Sequence, residues 1–395
     1  MTTTTTRPES DVDLFTDEVL SDPYSTLDRL REQAPAVYLS RLDMWLICRY
    51  EPARRVLGDW ESFSSAQGVG MTEQFNHAWS AALICQDPPT QTEQRAIFTE
   101  NLSTRALRPL QATIDVRAEE LVDELVSRGR FDAVADLAHD LPINVIMDLI
   151  GWPPSRRERL IPMATAWFET IGPDNERNRS SWPVVGELFE YLNQAIDQDD
   201  LTPGSFGRHL LDVHRAGHLP REAAVGLLAG YVVAAFDTTI NAIASAVWLF
   251  AREPEQWDAL RAAPSLVASA FNEVIRVESP IQYFTRVATR EVDVDGVTIP
   301  EGARVLISYG GANRDARHFA EPARFDIARN AVDHLAFSFG NHACAGQNLA
   351  RLEGHAVLRA LIPRVARFEF DGTPERALNN AGRGFAHLPV RVTPA

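Results

Sequence analysis

Along most of the chain, apolar positions recur at intervals of three and four residues, which is the helix period. In DPYSTLDRLREQ (22–33), an aspartate and a proline open a run whose leucines share one face, which predicts a helix. APAVYLSRLDMWLICRY (34–50) predicts two strands around a turn instead, and EPARRVLGD returns to helix. Residues 64–84 mix glycine with bulky apolar groups and show no clear period, so a long ordered loop is predicted there. From DPPTQTEQR at residue 87, helical spacing runs almost to residue 215, with breaks predicted at IGPDNERNRSSWP and DQDDLTPGSFG. REAAVGLLAG through WLFAREP (221–254) predicts one long helix, apolar on too many sides to lie on a surface. Short strands follow in FTRVATREVDVDGVTIPEGARVLISYGG, with a DG turn between two of them, and strands and turns return in the closing stretch from Phe368. The expected architecture is mainly α with a small β region. A disordered lead-in over 1–12 precedes a single domain over 13–395.

Composition sharpens this picture. The chain has 395 residues, 45% of them hydrophobic, enough for a core that encloses a sizeable cofactor. Its net charge, 38 − 54 = −16, excludes nucleic acid as a whole-chain partner but leaves room for a local basic patch that docks an acidic one. Three widely spaced cysteines, Cys48, Cys85 and Cys344, argue for a reducing compartment without a disulfide framework. The N-terminal MTTTTTRPES lacks the apolar core of a signal peptide. The most apolar segment, 225–250, is interrupted by Asp237, Thr238, Thr239 and Asn241, short of the roughly 18 apolar residues of a membrane span. A cytoplasmic protein with no membrane contact is expected.

The chemistry concentrates in FSFGNHACAGQNLARLE (337–353). A lone cysteine is by default a small buried hydrophobe. Cys344 differs, because glycines flank it and a helix pattern starts directly after it, and a helix N-terminus favours thiolate. Without neighbouring Cys or His ligands, one thiolate builds neither a zinc nor an iron–sulfur site. It suffices as the only protein ligand to a haem iron. The stretch resembles the haem-ligand pattern of cytochromes P450, with Phe337, Gly340, His342, Cys344 and Gly346 in the matching places.

Three further motifs carry the same resemblance, in the family's order along the chain. In DPPTQTEQR (87–95), Arg95 matches a residue that binds haem propionate, while Gln91 stands where the family usually has His, implying weaker anchoring. In AAFDTT (234–239), Asp237 and Thr238 match the acid–alcohol pair that relays protons to dioxygen, with Ala235 in place of the usual glycine. Read without the family, Thr238 is a hydroxyl bonded back to a helix carbonyl. In NEVIR, Glu273 and Arg276 stand three apart on one helix face. The resemblance implies that a later arginine completes this structural pair, Arg324 being expected and Arg329 the competitor. Arg286 and His342 match the other propionate positions.

The resemblance implies haem b as cofactor and dioxygen as co-substrate. Electrons then come from a ferredoxin and its reductase on separate chains, since this chain shows no flavin or iron–sulfur motif. Arg105, Arg108 and Arg351 would lie on the docking side.

Several stretches are similar to members that O-demethylate para-methoxybenzoates. Those members hold the substrate carboxylate with arginine and serine, where this chain has Ala78, Ala81, Ala229 and Gly230. A neutral methoxyaromatic or alkylphenol is therefore expected, in a pocket of Phe75, Trp79, Leu83, Phe168, Ile171, Val233, Ala234, Ile281, Phe284 and Phe385. His77 is either a contact for a polar substituent or simply solvated. The alternatives are oxidation of para-substituted benzoates, hydroxylation of a macrolide or terpenoid, a peroxide-driven enzyme and a non-catalytic haem sensor.

Overall fold

A 32-residue helix, Arg221–Arg252, passes through the core of the protein and explains the long apolar run. Five consecutive residues, Val225 to Ala229, are all buried, so the helix is enclosed on every side rather than along one stripe. Helices Asp140–Ile150, Leu160–Ile171, Glu176–Gln198, Phe206–Arg215, Val267–Val277 and Gln347–Leu361 pack around it. By length and composition alone it could cross a membrane, but 72% of its most apolar window is buried inside the protein. This computed structural model describes residues 7–152, 160–199 and 201–395.

The β region is small, as expected, but includes short strands that the sequence pattern did not show. Its main sheet has six strands in the order Glu9–Ser10, Val37–Leu39, Met44–Ile47, Arg304–Ser308, Tyr283–Ala288, Phe63–Ser64. The expected hairpin of 34–50 is there, with Val37 opposite Leu46. The first strand corrects the lead-in expectation. Glu9 and Ser10 pair in parallel with Tyr38 and Leu39, and Arg7 stacks 3.5 Å over the Tyr38 ring, so order begins within residues 7–12. Residues 1–6 of that lead-in lie outside the described residues. At the DG turn, Asp295 and Gly296 both take positive φ (51° and 88°), the backbone needed by a tight hairpin between Val292–Val294 and Val297–Ile299.

Three further expectations change. The loop 64–84 contains a helix, Glu73–Ala78, capped by the Thr72 hydroxyl, and a 3₁₀ turn, Leu83–Cys85. The break expected across IGPDNERNRSSWP ends at Asn175, which caps helix Glu176–Gln198 with Pro183 inside it. Proline there costs about 3 kcal/mol or more. The buried face of Val185, Leu188, Leu192, Ala195 and Ile196, laid against Leu160–Ile171, outweighs that loss. A short strand, Arg130–Asp132, interrupts the expected all-helical stretch because it pairs with Pro389 to Arg391 near the C-terminus.

Candidate active site

The loop that carries Cys344 is shaped by its backbone. Gly340 has φ +70°, and a Cβ there would lie 2.6 Å from the Leu57 carbonyl oxygen, so only glycine fits. The Cys344 amide donates to the Phe337 carbonyl at 2.7 Å, closing the loop just before helix Gln347–Leu361. Burial pushes the thiol up. The backbone amides of Gly346 and Gln347 and the charges of Arg95 and Arg351 pull it back without cancelling the rise. A bound metal cation reverses that balance, because a coordinating thiol is deprotonated outright. A side chain at position 346 would have the Cys344 sulfur as its one neighbour within 4.0 Å, so glycine leaves that flank of the sulfur open.

Segment 86–95 braces the loop through three hydrogen bonds. Gln91 Nε2 donates to the Asn341 carbonyl at 2.7 Å, and Arg95 donates to the Ala343 carbonyl at 2.7 Å. Nε2 of His342 meets the Gln86 carbonyl at 3.0 Å, and burial, then Arg286, lowers the His342 pKa to about 3, so the neutral ring donates. This corrects the expectation for Gln91. Its amide is 2% exposed and anchors the cysteine loop, and it does not line the cavity.

Above the loop lies a cavity walled by the central helix. Ala229, Gly230, Val233, Ala234, Ala235, Thr238 and Thr239 face it, with Cys344, Arg95, Arg286, His342 and Phe337 also in its wall. Thr238 Oγ1 donates to the Ala234 carbonyl at 2.8 Å, the back-bonded arrangement, which leaves its oxygen free to accept. Asp237 is not in the wall. Its Oδ1 accepts from Thr165 Oγ1 at 3.1 Å, and burial raises its carboxyl to about 7.

Of the ten expected pocket residues, Trp79, Leu83, Phe168, Val233, Ala234, Ile281 and Phe284 line the cavity. Three do not. Phe75 lies behind the wall, 5.5 Å from the Trp167 ring and 6.5 Å from Trp79. Ile171 is fully buried at the end of its helix. Phe385 packs on Trp248, 5.5 Å away, beneath the Arg376 guanidinium. In the loop, Trp79 and Ala82 line the wall together with Leu83 and Ile84, whereas Ala78 and Ala81, the positions expected from the motif comparison, do not. His77 is exposed.

Sequence reading missed Trp167, Phe98, Tyr309 and Glu353, all in the cavity wall. Glu353 was detectable, since it stands four residues after Leu349 on the buried face of Gln347–Leu361. Burial pushes its carboxyl up to about 8, and Oε1 has no hydrogen-bond partner.

The structural pair also needs a correction. Arg276 grips Glu273 with two bonds, 2.7 and 2.8 Å, both side chains fully buried. The arginine that completes it is Arg329, whose Nε reaches Glu273 Oε1 at 3.0 Å. The Arg324 guanidinium turns to exposed Glu321, and only its backbone carbonyl joins the group.

A haem fits these residues. Arg286 is 3% exposed and, among the described residues, its guanidinium makes one hydrogen bond, to a backbone carbonyl, and no ion pair. A buried cation left in that state calls for an anion, and a propionate supplies one. Arg95 likewise has no carboxylate partner among the described residues.

A family model described as "Cytochrome P450" matches residues 184–391. The chain is 38% identical over 392 residues to cytochrome P450 CYP199A2 of Rhodopseudomonas palustris, covering 98% of this chain and 95% of the relative. It is 30% identical to 6-deoxyerythronolide B hydroxylase of Saccharopolyspora erythraea, over 96% and 98% of the two chains. It also resembles the structure of cytochrome P450 CREJ in complex with (4-ethylphenyl) dihydrogen phosphate, with TM-score 0.86 and 25% identity, covering 98% and 99%. With a lone cysteine in its glycine-shaped loop, a buried arginine awaiting an anion and these relatives along nearly its whole length, the chain belongs to the cytochrome P450 family, monooxygenases that use haem b and dioxygen.

Proposed function

We propose that the protein O-demethylates a neutral methoxyaromatic of the guaiacol or alkylguaiacol type, giving a phenol and formaldehyde. The distribution of charge in the cavity wall carries this reading. Its cationic side chains, Arg95 and Arg286, gather at the cysteine loop beside the neutral His342, where a haem's two carboxylates need them. Elsewhere the wall has no cationic side chain among the described residues and is largely apolar, with Trp79, Leu83, Phe168, Val233, Ile281 and Phe284 among its members and Glu353 its carboxyl. A benzoate buried against such a wall leaves its charge unpaired, which is expensive. Likeness to CYP199A2, and to the methoxybenzoate branch through the shared motifs, favours an aromatic ether over a macrolide ring.

When bound, haem supplies dioxygen activation and the insertion of one oxygen atom into a C–H bond of the methoxy group. Cys344 would be the iron's protein ligand, its anionic sulfur supported by the Gly346 and Gln347 amides and by Arg95 and Arg351. Arg95 and Arg286 would hold the propionates, with His342 beside them. The apolar wall excludes water and aims the methoxy group by shape. Asp237, titrating near 7, accepts or releases a proton at working pH, and the Thr238 oxygen accepts a hydrogen bond at the cavity face. Each turnover uses dioxygen, two electrons and two protons, and releases one water. The hydroxymethyl ether then breaks its bond between the hydroxylated carbon and the aryl oxygen. Its hydroxyl proton passes to that oxygen, leaving phenol and formaldehyde. Electrons arrive from a ferredoxin and its reductase, docking where Arg105, Arg108 and Arg351 supply positive charge.

Titrating the purified haem protein with guaiacol, 4-alkylguaiacols, 4-methoxybenzoate and linalool tests this. The expected result is a low-to-high-spin Soret shift with the neutral methoxyphenols, and formaldehyde formed in step with NADH oxidation. A shift with 4-methoxybenzoate and none with the guaiacols overturns the substrate assignment.

A further inference from the structure

Beyond the cavity wall, Asp237 belongs to a polar seam that neither the family motifs nor the proposed chemistry uses. Thr165, which donates to Asp237, is on helix Leu160–Ile171 and is exposed. One turn further along the same helix is Glu169, half-buried. Residues four apart on a helix are neighbours, with Cβ atoms about 5–6 Å apart. Side chains at that spacing are close enough for one water to join their polar ends. Glu169 Oε2 accepts from the Asn380 amide at 2.9 Å, and the Asn380 side chain donates to the Glu169 carbonyl at 3.0 Å. Asn380 and Asn175 exchange side-chain bonds at 2.8 and 3.1 Å, and Asn379 donates to the Thr165 carbonyl at 3.3 Å. The turn between strands Glu375–Leu378 and Arg383–His387 therefore clamps the carboxyl onto the helix beside Asp237.

We propose that Glu169 supplies the protons that reload Asp237, taking them from solvent at the seam between helix Leu160–Ile171 and the 379–382 turn. Glu169 gives its proton, directly or through one water, to the Thr165 oxygen as the Thr165 hydroxyl proton moves to Asp237 carboxylate. Solvent then reprotonates Glu169. One proton passes per cycle of the seam, two per turnover, and no electrons move. Glu169 touches no reactant and acts only through Asp237.

The electrostatics agree with the geometry. Burial raises Glu169 to about 7, with the Asn380 amide and Arg177 opposing and the Asp237 charge adding to the rise. Two carboxyls that titrate near the same neutral pH, one bonded to Thr165 and the other one turn further along the Thr165 helix, exchange a proton with little free-energy penalty. The charged groups acting on Glu169 are Arg177, from helix Glu176–Gln198, and Asp237. Arg177 itself pairs with Asp17 on the outside.

The assignment of Asp237 to the proton relay rests on the reading above, while the test below does not need the substrate. Infrared titration of the haem protein, with Asp237→Asn identifying the Asp237 carboxyl band, compares wild type with Glu169→Gln. Glutamine keeps the acceptor for Asn380 but carries neither charge nor proton. Removing the neighbouring anion should move the Asp237 titration to lower pH. With any substrate that gives a spin shift, Glu169→Gln and Thr165→Val should leave that shift unchanged. Both should slow product formation by about tenfold, below the 10²–10⁴ of a direct acid–base group, raise peroxide released per NADH and enlarge the solvent isotope effect. Glu169→Asp should recover part of the rate. An unshifted Asp237 titration with an unchanged isotope effect overturns the proposal, even if turnover falls. Failure of the guaiacols to bind counts against the substrate assignment alone.

Discussion

At the scale of single residues, the site depends on which charged groups find partners in the dark of the core. Glu273 and Arg276 were legible because their spacing fixes a shared helix face. The third member was not, since the choice between Arg324 and Arg329 depends on how the loop is traced. Turns with positive φ at Glu321 and Asn330 steer that loop, and the Asp326 amide, donating to Glu273 at 3.1 Å, sets its approach. The two arginines should therefore respond differently to removal. Arg329→Ala leaves a buried carboxylate short of a charged donor and should cost about 1–3 kcal/mol. Arg324→Ala removes an exposed pair with Glu321 and should stay within about 0.5 kcal/mol. Urea unfolding followed by Soret absorbance separates them, and equal effects would refute the assignment. Gln91 teaches the same lesson. Its place in the motif was readable, but the direction of its amide, toward the Asn341 carbonyl rather than the cavity, depends on a contact 250 residues away in sequence.

At the scale of elements, the long helices and the Cys344 loop were readable because their signals are local: apolar period, caps, and a glycine that no other residue can replace. What was missed needs distant partners. Glu9–Ser10 and Arg130–Asp132 are strands only because Tyr38–Leu39 and Pro389–Arg391 stand beside them. Pro183 sits inside a helix only because a neighbouring helix buries one face of it. One close helix contact permits a sharp test. At Gly354, in Gln347–Leu361, a Cβ would lie 2.1 Å from Phe271 Cε2 on helix Val267–Val277. Replacing a helical glycine with alanine gains up to about 1 kcal/mol in backbone entropy. Overpacking a tight core costs about 1–3 kcal/mol. Phe271 is 1% exposed and also lines the cavity, so its ring has the haem side as its way to yield. Gly354→Ala should therefore lower the melting temperature and the ratio of Soret to protein absorbance. A stabilised, fully haem-loaded variant would show that the helices separate freely at this point.

At the scale of the whole molecule, the balance of charge bears on how electrons arrive. A net charge of −16 repels an acidic ferredoxin on average, so productive docking needs a local reversal. The docking proposed above places one on the cysteine side. Arg105 and Arg108 are exposed and have no carboxylate partner among the described residues. Their segment is tied to the first turn of Gln347–Leu361 by Asn348, which donates to the Leu102 carbonyl at 3.3 Å. Arg351, stacked 4.6 Å over Phe337, extends the patch toward Cys344. The double variant Arg105→Glu with Arg108→Glu should raise the half-saturating ferredoxin concentration about tenfold at low salt, the scale of a steering effect. The spin shift with substrate should be unchanged, because neither residue lines the cavity. Exposed charges are screened over about 10 Å at 0.1 M salt and about 3 Å at 1 M. The wild type should therefore lose its advantage as salt rises, until the two proteins reduce at similar rates. Equal half-saturation at low salt would place the docking surface elsewhere, whereas a defect that persists at high salt would mean that these arginines make close contacts rather than steer.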